Sequence, residues 1–217
     1  MGFYFQGYYY DKCQPMGCSS SCKNFESFSS AIQWILHHKY GVTNVVKVLD
    51  DFLFVEPSQQ QCQYNLDKFQ QICQNLNVPI AAHKTVGPEP SLTLLGIKLD
   101  ASAMTTSLPT DQLIAYTADL NDVLTRKKVT LRSLKLLIGK LQFATSVIPS
   151  GRAFLRCLHD LTIGVSKPFH FIRLNAQTKL DLKMWLSFMQ HYNGRTLISY
   201  KPSHDSSTLY LYSDASK

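Results

Sequence analysis

Apolar residues recur along this chain at two spacings. From Phe25 through Phe28, Ile32, Ile35 and Leu36 they step by threes and fours, the period of one helix face, and Gly41 supplies a stop. A helix is expected over about 23–39. Ser58 followed by Gln61 forms a capping box and opens a second helix to about Asn75, striped by Cys62, Leu66, Phe69, Cys73 and Leu76. Between the helices the pattern is that of strands. Val45, Val46 and Val48 precede Asp50-Asp51, and Phe52, Leu53, Phe54 and Val55 follow, which predicts a hairpin over 44–56. Shorter strand signals are FYF and YYY across Gln6-Gly7, VPIAAHKT, SLTLLGIKLD, and AMTTSLP as the partner of the last. Gly96 inside SLTLLGIKLD implies a bulge or a close backbone approach.

After Pro109 the pattern turns helical. Residues 110–124 carry Leu113, Tyr116, Leu120 and Val123. Residues 130–147, capped by Thr130, carry Leu131, Leu134, Ile138 and Leu141. A third helix is expected from Pro149, a good first-turn residue. A fourth spans about 176–192 with Leu180, Met184, Trp185 and Phe188, stopped by Gly194, and TLYLYSD reads as a final strand. No internal repeat is visible. The fold class is α+β: an antiparallel sheet with packing helices to about 108, then a basic helical module, then the start of a β element.

Composition removes several classes. No apolar run nears the roughly 20 residues that span a bilayer. The opening MGFYFQGYYYDK has no secretory pattern, and Gln6 stands where a myristoylation signal has Ser or Thr. An intracellular protein, cytoplasmic or nuclear, neither secreted nor membrane-bound, is expected. Cys13, Cys18, Cys22, Cys62, Cys73 and Cys157 include no CxxC, and no histidine pair completes a zinc pattern, so they read as reduced, partly buried thiols. The formal net charge of +7 is concentrated in one segment. Arg126, Lys127, Lys128, Arg132, Lys135, Lys140, Arg152 and Arg156 stand with no acid among them. That leaves 14 of the 22 basic residues against all 15 acidic ones elsewhere. Such a segment is a footprint for a polyanion, nucleic acid above all, or a solvated helix face.

The acidic pair carries the candidate chemistry. Adjacent carboxylates in apolar company repel, and desolvation adds to the cost. A hard divalent cation relieves both, and Mg²⁺ takes carboxylates together with substrate phosphates, so one reading is a phosphoryl-transfer site. The other is an exposed turn, where Asp is common.

Taken in order, these segments resemble a reverse transcriptase, specifically that of the DIRS-like, tyrosine-recombinase-encoding retrotransposons. QPMGCSSSCKNFESFSSAIQWIL is similar to the family's Pro-x-Gly loop and following helix, and VLDDF to its paired-aspartate hairpin. NVPIAAHKTVGP and LTLLGIKLD resemble the next two segments, the second being the primer grip. TLRSLKLLIGKLQFATSVIPSGRAFLRCL resembles the thumb. The resemblance implies a partial palm over 1–108, a thumb over 109–165, a connection over 166–207 and the first strand of a ribonuclease H-like domain over 208–217. It implies nucleotidyl transfer with two ions, Mg²⁺ or Mn²⁺, in the intact enzyme, with deoxynucleoside triphosphates as substrates and an RNA/DNA primer–template duplex as partner.

Residue by residue, the resemblance makes Asp50 the direct metal ligand, with Asp51 supporting it. Gln14, Pro15, Met16, Gly17, Ser19 and Ser20 become the nucleotide and template loop. Lys84 becomes an aid to the leaving pyrophosphate or a plain surface lysine. Leu95, Gly96 and Ile97 become the primer grip, Asp214 the first ribonuclease H carboxylate, and the eight basic residues of 126–156 the duplex contacts. Val48 replaces a position often aromatic in the family, and Cys22 a usual proline. Under this resemblance Met1 falls inside the palm. The other essential aspartate strand and the fingers lie upstream, to be supplied by another segment or a partner if at all. The chain then reads as a fragment that does not polymerise alone. Two other readings are a non-catalytic primer–template binding module and a decayed retroelement remnant. A metal-dependent phosphatase or nuclease built on the aspartate pair has no further support.

Overall fold

The computed structural model describes residues 2–10, 13, 14 and 17–197, the side chain of Phe3 apart. Two compact units divide it, Met1–Glu89 and Pro90–Lys217. The strands at 91–107 therefore pack in the same unit as the helices that follow them. Pro15, Met16, the predicted strand TLYLYSD and Asp214 lie outside the described residues.

The first unit opens with a small antiparallel hairpin, β1 (Gly2–Tyr4) and β2 (Tyr8–Tyr10), whose tyrosines face solvent. Helix α1 (Ser21–Tyr40) ends in a left-handed glycine cap. Gly41 takes φ +67°, its N–H bonds the His37 carbonyl, and the Val42 N–H bonds the Leu36 carbonyl. The predicted hairpin forms as β3 (Val45–Val48) and β4 (Asp51–Phe54). Helix α2 (Gln59–Asn75) starts where the capping box places it, with Ser58 Oγ accepting from the Gln61 N–H.

Ile32 and Leu36 of α1, Val42 and Val45 at the hairpin, and Ile72 and Cys73 of α2 form the core of this unit. Phe69 closes it against Phe52 and Phe54, at 4.7 and 5.8 Å between ring centroids. The two helix stripes are narrower than the sequence suggests: Phe25, Phe28 and Leu76 are largely exposed. On α2 the buried face is completed by a polar residue, Asn65, whose amide donates to Glu56 and accepts from Gln61. VPIAAHKT forms no strand; a 3₁₀ turn over Ala82–Lys84 occupies its second half.

The second unit is built on a four-stranded antiparallel sheet. Strands β5 (Ser91–Leu94), β6 (Ile97–Asp100) and β7 (Thr105–Ser107) form a meander. Instead of a bulge at Gly96, SLTLLGIKLD folds back on itself through a two-residue turn. Leu95 and Gly96 both have positive φ, +50° and +77°, as a type I′ turn requires.

Helix α3 (Thr110–Thr125) follows, then a short strand β8 (Lys128–Thr130) that leads directly into α4 (Leu131–Ala144). Thr130 caps α4 by accepting from the Ser133 N–H. The helix expected at Pro149 begins as a 3₁₀ segment to Leu155 and continues as α5 (Arg156–Asp160). Strand β9 (Phe171–Arg173) returns to pair with β8, α6 (Ala176–His191) crosses the core, and β10 (Arg195–Thr196) joins the sheet beside β7.

The core of this unit gathers Leu120 and Val123 of α3, Leu131, Leu134, Leu137, Ile138 and Leu141 of α4, and Leu182, Trp185 and Met189 of α6. The stripe expected on α6 is rotated. Leu180 and Met184 face outward, while Thr178 and Asp181 are buried with Leu182, Trp185 and Met189. Asp181 is satisfied by Gln177 at 3.1 Å and by the Cys157 thiol, whose pKa that bond holds up, with desolvation adding to it. All six cysteines are free thiols.

Candidate nucleic-acid interface and acidic corner

The acidic corner is fixed by its strand register. Val48 pairs with Asp51, so the hairpin closes through Leu49 and Asp50 alone. Leu49 has φ +52° and Asp50 does not share the positive sign, the pattern of a type II′ turn. Leucine rarely adopts that region, and residues held in such backbone conformations cluster where the local geometry serves a function. The hairpin is anchored from below. The Lys47 side chain is almost fully buried and ion-paired to Glu26 of α1, and Gln33 Nε2 donates to the Val45 carbonyl at 3.0 Å.

Both carboxylates of the corner are exposed. The desolvation cost expected from their apolar neighbours does not arise, because Val48 and Leu49 beside them are themselves exposed while Phe52 and Phe54 pack back on Phe69 of α2. A recess of about 620 Å³ opens between Thr43–Val46 and Val55–Pro57, at the opposite end of the hairpin. Among the described residues, no group of three or more His, Cys, Asp or Glu is placed to hold a metal ion. Two exposed oxygen donors still suit Mg²⁺, which keeps several waters and takes one or two carboxylates plus substrate phosphates.

The other predicted residues of this unit are also exposed. Gln14, Gly17, Ser19 and Ser20 precede α1; Gly17 has φ +84° and open space around it, so the loop can lie close to another molecule. The Cys18 thiol is held below its ordinary pKa by hydrogen bonds from Ser20. Lys84 ends the 3₁₀ turn, exposed.

In the second unit the basic segment splits in two. Acid-free in sequence, it is not acid-free in space, because α3 supplies partners. Asp122 accepts from Arg126 at 2.8 and 3.2 Å, and Asp119 is ion-paired to Lys140. Arg156 lies 4.0 Å from Asp160 with both side chains mostly exposed, a pair that contributes little. Lys127, Lys128, Arg132, Lys135 and Arg152 are exposed and have no carboxylate partner among the described residues.

Arg132 and Lys135 belong to the outer face of α4, which also bears Leu136, Gly139 and Phe143. A Cβ at Gly139 would meet nothing within 4 Å, so the helix backbone is bare there. Phe143 carries this face to the β5–β6 turn. A Cβ at Gly96 would lie 3.2 Å from its ring and 3.2 Å from the Gln112 amide, a close approach that, with φ +77°, favours glycine there. Leu95 stands exposed on the turn, and Ile97 packs against the core behind it. The predicted grip residues and the helix face thus form one surface. Leu136, Gly139 and Phe143 were not singled out in the sequence, although they follow from the four-residue step beside Arg132 and Lys135.

A meander closed by a type I′ turn beside a basic helix, and an acidic hairpin packed on two helices, together make a reverse-transcriptase-like fold. Among solved structures, the chain is similar to the foamy viral protease–reverse transcriptase in complexes with double-stranded DNA, with TM-scores of 0.69 and 0.68 over 90% and 93% of this chain. It is similar to the same protein in complex with an RNA/DNA hybrid, with a TM-score of 0.67 over 88%. Sequence identity is 16% in each case, and the chain spans 31%, 39% and 24% of those chains respectively. No family model and no curated protein matches.

Proposed function

We propose that this chain is the palm, thumb and connection portion of a reverse transcriptase of the DIRS-like retrotransposon kind, and that its own contribution is to hold primer–template duplex. The observation that carries this reading is the continuous face from Arg132 and Lys135 through Gly139 and Phe143 to the Leu95-Gly96 turn. Cations at one end suit phosphates, exposed Leu136 and Phe143 suit sugar faces, and the bare backbone at Gly139 lets the helix sit close to a groove. Solved structures of similar fold carry double-stranded DNA or RNA/DNA hybrid, which supports the same class of partner here.

Asp50 would hold Mg²⁺ or Mn²⁺ with Asp51 beside it. When bound, the ion supplies charge for the primer hydroxyl and the incoming deoxynucleoside triphosphate. The chain's residues contribute the presentation: a turn pinned by Lys47–Glu26 and held in positive φ at Leu49 points both carboxylates to solvent. Completing the site takes a further carboxylate, which no described residue brings to the corner.

Primer extension with Mg²⁺ or Mn²⁺ tests the division of labour. The purified chain is expected to bind duplex and to incorporate no nucleotide. Incorporation that disappears in Asp50→Ala would show that the corner is complete as it stands. That exposed, incomplete corner also favours a second reading, a purely binding module. Under it, Asp50→Ala leaves duplex affinity and its response to Mg²⁺ unchanged, whereas if Asp50 holds the metal the substitution changes that response beyond the competition of Mg²⁺ for phosphates.

A further inference from the structure

The duplex face of α4 leaves part of the basic surface unused. Strands β8 and β9 form a two-stranded ribbon in which Val129 and Ile172 face the core, while Lys128, Thr130, Phe171 and Arg173 face outward. Lys128 Nζ lies 4.9 Å from the centre of the Phe171 ring. The segment leading into β9 is tied to the first turn of α4: the Leu131 N–H bonds the His170 carbonyl and the Arg132 N–H the Pro168 carbonyl, both at 2.9 Å. On that ordered segment Lys167 Nζ sits 6.0 Å from the Phe169 ring centre, and His170 packs edge-on against the same ring at 5.2 Å. Phe169 and Phe171 are 68% and 64% exposed, unusual for phenylalanine in ordered backbone. No carboxylate occurs from Lys127 to Arg132 or from Ser166 to Leu174.

We propose that this ribbon and the 166–170 segment form a binding site for single-stranded nucleic acid. Each exposed ring has a lysine at its edge or face, so a phosphate held by the ammonium leaves its base within reach of the ring. This is the pairing of cation and stacking platform by which single strands are held without sequence preference. A duplex does not use it along its length, because paired bases, the two end pairs apart, keep their faces stacked on one another and offer a phenyl ring only their edges. The charge selects a polyanion and the rings select one with free base faces. The site stands independently of the catalytic reading and of the α4 duplex face.

Fluorescence anisotropy of the full chain with oligo(dT), and with a blunt-ended duplex of the same length, tests it. In the pair Phe169→Ala/Phe171→Ala the oligo(dT) affinity is expected to fall about 10- to 100-fold while duplex affinity holds. The pair Phe169→Tyr/Phe171→Tyr, which keeps both rings, is expected to retain oligo(dT) binding. Both side chains are exposed, and circular dichroism of each variant confirms the fold. Unchanged oligo(dT) affinity in the alanine pair overturns the proposal. So does an equal fall for both probes, or a loss in the tyrosine pair as deep as in the alanine pair. An intact chain that binds oligo(dT) but no duplex upholds this site and overturns the duplex face.

Discussion

Replacing Gly151 by alanine is expected to destabilise the second unit by about 3 kcal/mol or more, above the usual range for one added methyl group. A Cβ at that position would lie 2.2, 2.5 and 2.8 Å from three atoms of the Trp185 six-membered ring. The ring cannot retreat: Trp185 is completely buried among Leu182, Met189 and the α4 leucines. Nor is the glycine there for backbone freedom, since its φ lies outside the left-handed region. The clash is purely one of volume. Thermal or urea unfolding of Gly151→Ala measures it, and a double-mutant cycle assigns it. Trp185→Leu is itself costly because it opens a cavity, but in that background the added methyl group should cost far less. Equal costs in the two backgrounds would place the strain elsewhere.

Reversing two charges on α4, Arg132→Glu with Lys135→Glu, is expected to lower duplex affinity at least about 100-fold near physiological salt. Losing two phosphate contacts removes about 1.8 from the slope of log K against log salt. Between 0.1 M and the molar reference that amounts to roughly 60-fold, and repulsion from the new carboxylates adds to it. Both side chains are exposed, so the fold should tolerate the change. The same reversal at Arg126 and Lys140 should do much less, because Asp122 and Asp119 already neutralise those two. If the two pairs of substitutions weaken binding equally, the outer face of α4 is not the contact.

That contrast marks how far the sequence carried the account. Elements with a local signal were legible: the Ser58–Gln61 cap, the Gly41 stop, the Thr130 cap and the hairpin around Asp50-Asp51 all form where the residues place them. What depends on long-range packing was not. Asp119 lies on α3, a different helix from Lys140, so its neutralising role is invisible in linear order, whereas the i,i+4 spacing of Asp122 and Arg126 was legible but straddles the start of the basic run. The true face of α6 was masked because two of its buried positions, Thr178 and Asp181, are polar, while the apolar Leu180 and Met184 point outward. Gly96 signalled a special backbone, but a leucine at positive φ beside it gave no hint that the chain reverses there. The β8–β9 ribbon escaped because strands of three residues carry too little periodicity to detect, although the alternation of Phe169, His170 and Phe171 between Lys167 and Arg173 was present to be read.

The corner and the helix face differ in what each can do alone. Asp50 and Asp51 are held exposed by a pinned turn, and no group of three ligand-bearing side chains stands there among the described residues. The face from Arg132 to the Leu95-Gly96 turn is complete within its own unit, and its function is testable in the chain as it is.

The salt dependence of duplex binding tests that face most directly. With Arg132 and Lys135, and at most Lys127 and Arg152 beside them, engaging phosphates, log K against log salt for the intact chain and a blunt duplex should be linear, with a slope of about −2 to −4. The slope should become shallower by about 0.9 for each of Arg132 and Lys135 replaced by alanine. A slope near zero, or no duplex affinity at low salt, would contradict the account.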